Sequence, residues 1–233
     1  MHVPDGFLDA PTSVATAVVA AGAVTVALRR ASNELNERTA PMAGLVAAFI
    51  FATQMLNFPV GAGTSGHLLG GALAVILVGP WTAVLCMSVV LLVQSLLFAD
   101  GGVTALGTNI TLMGIVTVLV GWLVFRGVTA VARHSTAGVV VGSFLAALIS
   151  VPVSALAFAV LYEVGGTANI PLATLVTAMV GWHVLIGIGE AIITALTVSS
   201  VLAVRPDLVY GARGLLGERE LEIRAGRPAE ATS

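Results

Sequence analysis

The chain has 233 residues, 58% of them apolar and only 9% charged, with a net charge of −2 and a mean hydropathy of +1.03. This composition excludes an ordinary soluble domain or a nucleic-acid binder and points to one bundle of membrane helices. The single cysteine, Cys86, lies in an apolar run, so neither a disulfide framework nor a cysteine-based zinc site is available.

Met1-His2 opens the chain, followed by acidic Asp5 and Asp9, and the first arginine is Arg29. A secretory leader instead begins with positive charge and ends at a small-residue cleavage site, so the start is expected to be retained. A free amine, the His2 amide nitrogen and the His2 imidazole lie close enough along the chain to wrap three nitrogens around one metal ion. Pro4 has no N–H and a fixed φ, which suits a turn sending this arm, residues 1–9, back toward the bundle.

Seven apolar segments follow, at roughly 10–28, 41–57, 60–79, 81–99, 109–125, 137–162 and 171–204, against the roughly 20 residues a span needs. The third reaches that length only if the Gly-rich stretch from Val60 is included. Its strongly apolar part, Leu68 to Val78, otherwise suits a re-entrant piece. The seventh is overlong and is expected to begin as an outer-surface stretch before Gly181. Gly79-Pro80 and Gly101-Gly102 read as tight turns between spans.

All ten basic residues are arginines, grouped at Arg29, Arg30 and Arg38, at Arg126 and Arg133, and from Arg205 to Arg227. Cytoplasmic loops collect arginine, so these groups are expected inside, and the acidic segments between them (Asp5 and Asp9, Asp100, Glu163) outside. The expected fold is an all-α polytopic transmembrane helical bundle of about seven spans, N-terminus outside and C-terminus cytoplasmic. It divides into a metal-chelating arm (1–9), a transmembrane domain (10–204) and a cytoplasmic tail (205–233).

The richest stretch is Asn57-Phe58-Pro59-Val60-Gly61-Ala62-Gly63-Thr64-Ser65-Gly66-His67. Such backbone is tolerated at membrane depth only where protein or a water-filled cavity satisfies it. If helical from Val60, it would put His67 roughly 10 Å below the outer surface, where an ionisable group is a functional candidate. Gly61-x-x-x-x-Gly66 begins like a phosphate-binding loop but continues His67-Leu68 instead of Lys-Ser/Thr, so nucleotide binding is rejected. Met1 amine, His2 amide nitrogen, His2 imidazole and His67 imidazole together supply four nitrogens. A square of nitrogens suits Ni(II) or Cu(II), and low-spin Co(II), over tetrahedral zinc.

Gln94, Asp100 and Asn109, with Thr64 and Ser65 beside His67, are candidates to orient these ligands. His183 and Glu190, seven apart on one face of the last span, form a candidate intramembrane polar pair, against helix packing as the alternative. His134 beside Arg133 reads as solvated. Ala43, Ala47, Ala48 and Ala52 let another helix approach span two closely, either within the bundle or as a partner-docking face.

With these residues in hand, the chain resembles the CbiM/NikM family, the substrate-binding membrane components of cobalt and nickel energy-coupling-factor transporters. The resemblance runs through Met1-His2-x-Pro4-Asp5-Gly6-Phe7-Leu8, Asn57-Phe58-Pro59-Val60 and Gly63-Thr64-Ser65-Gly66-His67-Leu68-x-Gly70-Gly71. Gln94, Asp100-Gly101-Gly102, Gly107-x-Asn109 and Gly187-x-Gly189-Glu190-Ala191 continue it. It implies a seven-helix bundle in a bacterial or archaeal cell membrane with the N-terminus inserted into its centre. The metal would be held by the Met1 amine, both His2 nitrogens and His67.

The resemblance further implies capture of Co(II), or alternatively Ni(II), as transported substrate with no prosthetic group, and no enzymatic activity on this chain. ATP hydrolysis would fall to a cytoplasmic ATPase pair, joined by a transmembrane coupling subunit and a small two-span accessory protein. The rival classes are weaker. A retinal pigment needs a lysine, and the chain has none; a ligand-sensing seven-helix receptor has no motif in its favour. An intramembrane metalloenzyme using His183 and Glu190 would need an open coordination position. A vitamin-binding component leaves Met1-His2 without a task.

Overall fold

The computed structural model describes residues 1–35, 37, 39–61, 64–132 and 135–215, with backbone alone for 58–61 and 64–65. His134, Arg133 and the tail beyond residue 215 lie outside the described residues, as do the side chains of Thr64 and Ser65. The described residues form seven helices: α1 Ala10–Arg30, α2 Ala40–Gln54, α3 Gly71–Val78, α4 Pro80–Leu97, α5 Leu106–Val131, α6 Thr136–Gly165 and α7 Leu172–Val204. One element departs from the all-α expectation: β1 Phe58–Gly61 pairs antiparallel with β2 Thr64–Gly66, Phe58 opposite Gly66.

Each apolar segment of the sequence carries one helix. Five of them, counting α1 with the turn that extends it to Asn33, are long and apolar enough to cross a membrane by length and composition. The 15-residue α2 is shorter, and α3 has only 8 residues, about 12 Å of helix. Every residue of α3 is buried, so it forms the centre of the bundle. The third segment is therefore composite: a hairpin, an irregular stretch from His67 to Gly70, then a short helix. The helix expected from Val60 is absent because Gly and Pro disfavour it and Gly70 caps α3 with a left-handed φ of +83°.

The last segment forms one unbroken 33-residue helix, α7, with no interruption at Gly181. A Cβ added at Gly181 or Gly189 would meet nothing, so these glycines mark no break or close contact. Glycine is required elsewhere. A Cβ on Gly107 would strike the backbone of Ala17 in α1, and one on Gly71 would strike Thr117 of α5, so these helices approach nearly backbone to backbone.

The end of the bundle away from the N-terminal arm is fastened by Glu34, 4% exposed. Its carboxylate accepts from the Trp81 and Thr82 amides at 3.1 and 2.7 Å and from the Thr82 hydroxyl at 2.9 Å. An acid at the first turn of α4 offsets the helix dipole and satisfies free N–H groups. Of the alanines proposed for docking, Ala43 and Ala47 are partly buried against the core, and Ala48 and Ala52 are exposed.

Candidate metal centre

The N-terminal arm is threaded into the bundle. Met1 and Val3 are each 1% exposed and His2 8%. Asn109, at the start of α5, holds Val3 in both directions, accepting from its N–H at 2.8 Å and donating to its carbonyl at 3.1 Å. The Gly102 amide donates to the same carbonyl at 2.9 Å. Farther along, Asp5 accepts from the Thr104 amide and hydroxyl at 2.7 and 2.5 Å, contacts that hold its carboxyl below the ordinary value. Phe7 stacks on Phe158 of α6 at 5.8 Å. Asp9 donates its N–H to Gly165 at 2.7 Å and caps α1 through the Thr12 amide at 2.9 Å.

The loop between α4 and α5 explains its own glycines. A Cβ on Gly102 would collide with the backbone of Asp5, and one on Gly101 would press on Asn109 and His2. Gly101 also needs its φ of +89°. Asp100-Gly101-Gly102 is thus shaped to the arm lying across it.

His2 and His67 meet at the inner end of the arm, their rings stacked with centroids 4.3 Å apart and planes 23° from parallel. Each has one nitrogen committed. His67 Nδ1 lies 2.8 Å from the Leu68 carbonyl, which can only accept, so Nδ1 carries the proton and Nε2 keeps its lone pair. His2 Nε2 lies 3.2 Å from the Gln94 amide oxygen and donates to it, leaving the lone pair on Nδ1. Both remaining nitrogens, His2 Nδ1 and His67 Nε2, are buried without a hydrogen-bond partner. His2 Nδ1 does lie 3.1 Å from Asp100 Oδ1, but that close approach is out of line for a hydrogen bond. Two acceptors held this near one another call for a cation between or beside them.

The terminal amine is the third donor. Burial lowers its pKa from the ordinary 8.0 to about 4, against the opposing pull of Asp100, so near neutrality it is an uncharged amine with a free lone pair. Burial also pushes the Asp100 carboxyl up, but its contact with His2, its hydrogen bond from Asn57 at 2.8 Å and the nearby terminus hold it below the ordinary value. Among the described residues no group of three or more His, Cys, Asp or Glu side chains is arranged to hold a metal. A site here therefore depends on main-chain nitrogen, which the amine and the His2 amide supply.

Gln94 and Asn109 read in the sequence as polar groups near span ends; they are 0% and 1% exposed and bind the arm directly. His183 and Glu190 are not hydrogen-bonded to each other. His183 Nδ1 donates to the Met179 carbonyl at 2.6 Å, while Glu190 accepts from the Leu69 and Gly70 amides at 2.6 and 2.9 Å. Sequence reasoning missed Gln54, whose amide donates to the Leu69 carbonyl at 2.6 Å; a glutamine closing an apolar segment was the available signal. It also missed Ser154, which faces the Met1 sulfur at 3.9 Å.

Comparison with known proteins places the fold and the family. A crystal structure of a truncated transition metal transporter superposes with a TM-score of 0.80 at 29% identity, covering 87% of this chain and 99% of that one. A protein of Haloquadratum walsbyi assigned to metal transport is 40% identical over 90% of this chain and 94% of its own length. The fused nickel transport protein NikMN of Rhodobacter capsulatus is 34% identical over 97% of this chain and 69% of its own. The family model described as the cobalt uptake substrate-specific transmembrane region matches residues 2–208. The chain belongs to this CbiM family of cobalt and nickel transport membrane proteins.

Proposed function

We propose that the chain is the metal-capture subunit of an energy-coupling-factor transporter, taking Co(II) from outside the cell for ATP-driven uptake that supplies cobalamin synthesis. The ligands are the Met1 amine, the His2 amide nitrogen, His2 Nδ1 and His67 Nε2. The observation that carries this reading is the stacked His2–His67 pair, whose two lone-pair nitrogens are buried and unpartnered beside a buried amine. The N-terminus lies outside and the C-terminus inside, in keeping with the arginine distribution. Energy comes from separate partners: a transmembrane coupling subunit, a cytoplasmic ATPase pair and a small two-span accessory protein. A face of α2 that includes exposed Ala48 and Ala52 serves docking. The fused form of the Rhodobacter relative is in keeping with an accessory piece.

A second reading, Ni(II) as substrate, is favoured by the four-nitrogen donor set, which suits square-planar Ni(II), and by the nickel transport name of that relative. Isothermal titration of the untagged, detergent-solubilised protein with Co(II) and Ni(II) tests both readings. Either His2→Ala or His67→Ala, or one residue added before Met1, abolishes binding at micromolar metal. Normal affinity in the extended chain overturns the ligand set.

A further inference from the structure

Glu190 sits in the middle of α7, 3% exposed, where an acidic group is costly unless it is partnered. It has no role among the ligands above. Its two oxygens are spent on two adjacent backbone amides, Oε2 accepting from Leu69 N–H at 2.6 Å and Oε1 from Gly70 N–H at 2.9 Å. These N–H groups lead into the first turn of α3, where an anion is favoured by the free amides and the helix dipole. From the facing side, Gln54 of α2 donates to the Leu69 carbonyl at 2.6 Å. One residue earlier, the Leu68 carbonyl takes the His67 Nδ1 proton at 2.8 Å and sets the ring. Backbone groups of Leu68, Leu69 and Gly70 are thus all committed, immediately behind His67.

We propose that Glu190, with Gln54 opposing it, is a positioning residue for the metal ligand His67, aiming His67 Nε2 at the amino terminus by clamping the Leu69 and Gly70 amides. The role rests on the reading of His67 as a ligand and involves no contact between Glu190 and metal. The chemistry requires a carboxylate. Two N–H donors converge on it, one at each oxygen, and a carboxylate offers both acceptors in that fork. A glutamine there satisfies one amide and turns its own NH2 against the other, leaving a buried donor unpaired. The irregular stretch from His67 to Gly70 then has no fixed reference on α7.

The test uses the full-length, untagged protein in detergent, with Ni(II) as the probe, comparing wild type, Glu190→Gln and His67→Ala. Affinity is read by titration and ligation by the visible absorption and circular dichroism of the bound metal. Glu190→Gln is expected to bind at least tenfold more weakly, with a spectrum moved from four-nitrogen ligation toward that of His67→Ala. A variant that was only less stable would keep the wild-type spectrum in its folded fraction, and that result overturns the proposal. So does wild-type affinity in Glu190→Gln while His67→Ala loses binding. Retention by both variants overturns it at the level of the ligand set itself. Hydrogen exchange on the wild type gives an arm that does not depend on the variant folding. Leu69 and Gly70 amides exchanging as slowly as the core of α3 support the clamp, and exchange at loop rates overturns it.

Discussion

Asn109 shows how much the arm owes to single side chains. One amide group both donates to and accepts from the Val3 backbone, the two-way pairing that Asn can make and Asp, acceptor-only when ionised, cannot. In Asn109→Ala the buried Val3 N–H is left unsatisfied, at about 1–3 kcal/mol, while the Val3 carbonyl keeps the Gly102 amide. The arm should then become cleavable by protease in the metal-free protein while the helical circular dichroism holds. The terminal amine makes docking sensitive to pH. Its pKa falls from 8.0 free to about 4 when buried, so between those values the undocked arm binds more protons. Docking therefore strengthens as pH rises through that window and weakens as it falls. Hydrogen exchange across residues 1–9 at pH 8, 6.5 and 5 should show protection falling in that order. The three residues proposed as ligands stood out in the sequence because a second-position histidine and a histidine after a glycine run are unusual in so apolar a chain, and the structure brings the two histidines together. The hydrogen bonds from Gln94 and Asn109 were not, since nothing local says where a polar residue near a span end will point.

At the scale of elements, the loop between α4 and α5 acts as the bed of the arm, and its glycines are the steric condition for that. Gly102→Ala places a methyl group against the Asp5 backbone, so the arm must lift. Metal affinity should drop at least tenfold in titration, with no change in helix content. The seven apolar segments were readable from composition because each helix answers to its own residues. The third was read with less success: Leu69 and Gly70 are held by partners outside the segment, Gln54 on α2 and Glu190 on α7. Sequence pattern records the apolar character of α3 but not the carboxylate 120 residues away that accepts from the Gly70 amide just ahead of its first turn. The continuity of α7 was hidden for the opposite reason, since Gly181 looks like a boundary yet interrupts nothing.

For the whole molecule, two outcomes follow from the proposed site, which lies at one end of the bundle and joins the start of the sequence to His67. On the proposed ligand set, bound metal would hold the arm, and through it α4, α5 and α6, in the folded state. A ligand present at 100 times its Kd stabilises by about 2.7 kcal/mol, so thermal melting should rise with Ni(II) or Co(II) and be unmoved by either metal in His67→Ala. The proposed orientation, with the C-terminus inside, is tested at that end of the chain. A green fluorescent protein attached after Ser233 should fluoresce in cells, and a phosphatase that works only outside the cytoplasm should stay inactive at the same place.

The arm also has a history within its own synthesis. Met1, His2 and Val3 are made before the groups that hold them, Gln94, Asn109 and Ser154, which follow about 90 to 150 residues later. Until α6 has entered the bilayer the beginning of the protein has no berth. The pocket assembles only after α6 is in place, so a chain cut short before it presents no closed site for a stray ion to occupy.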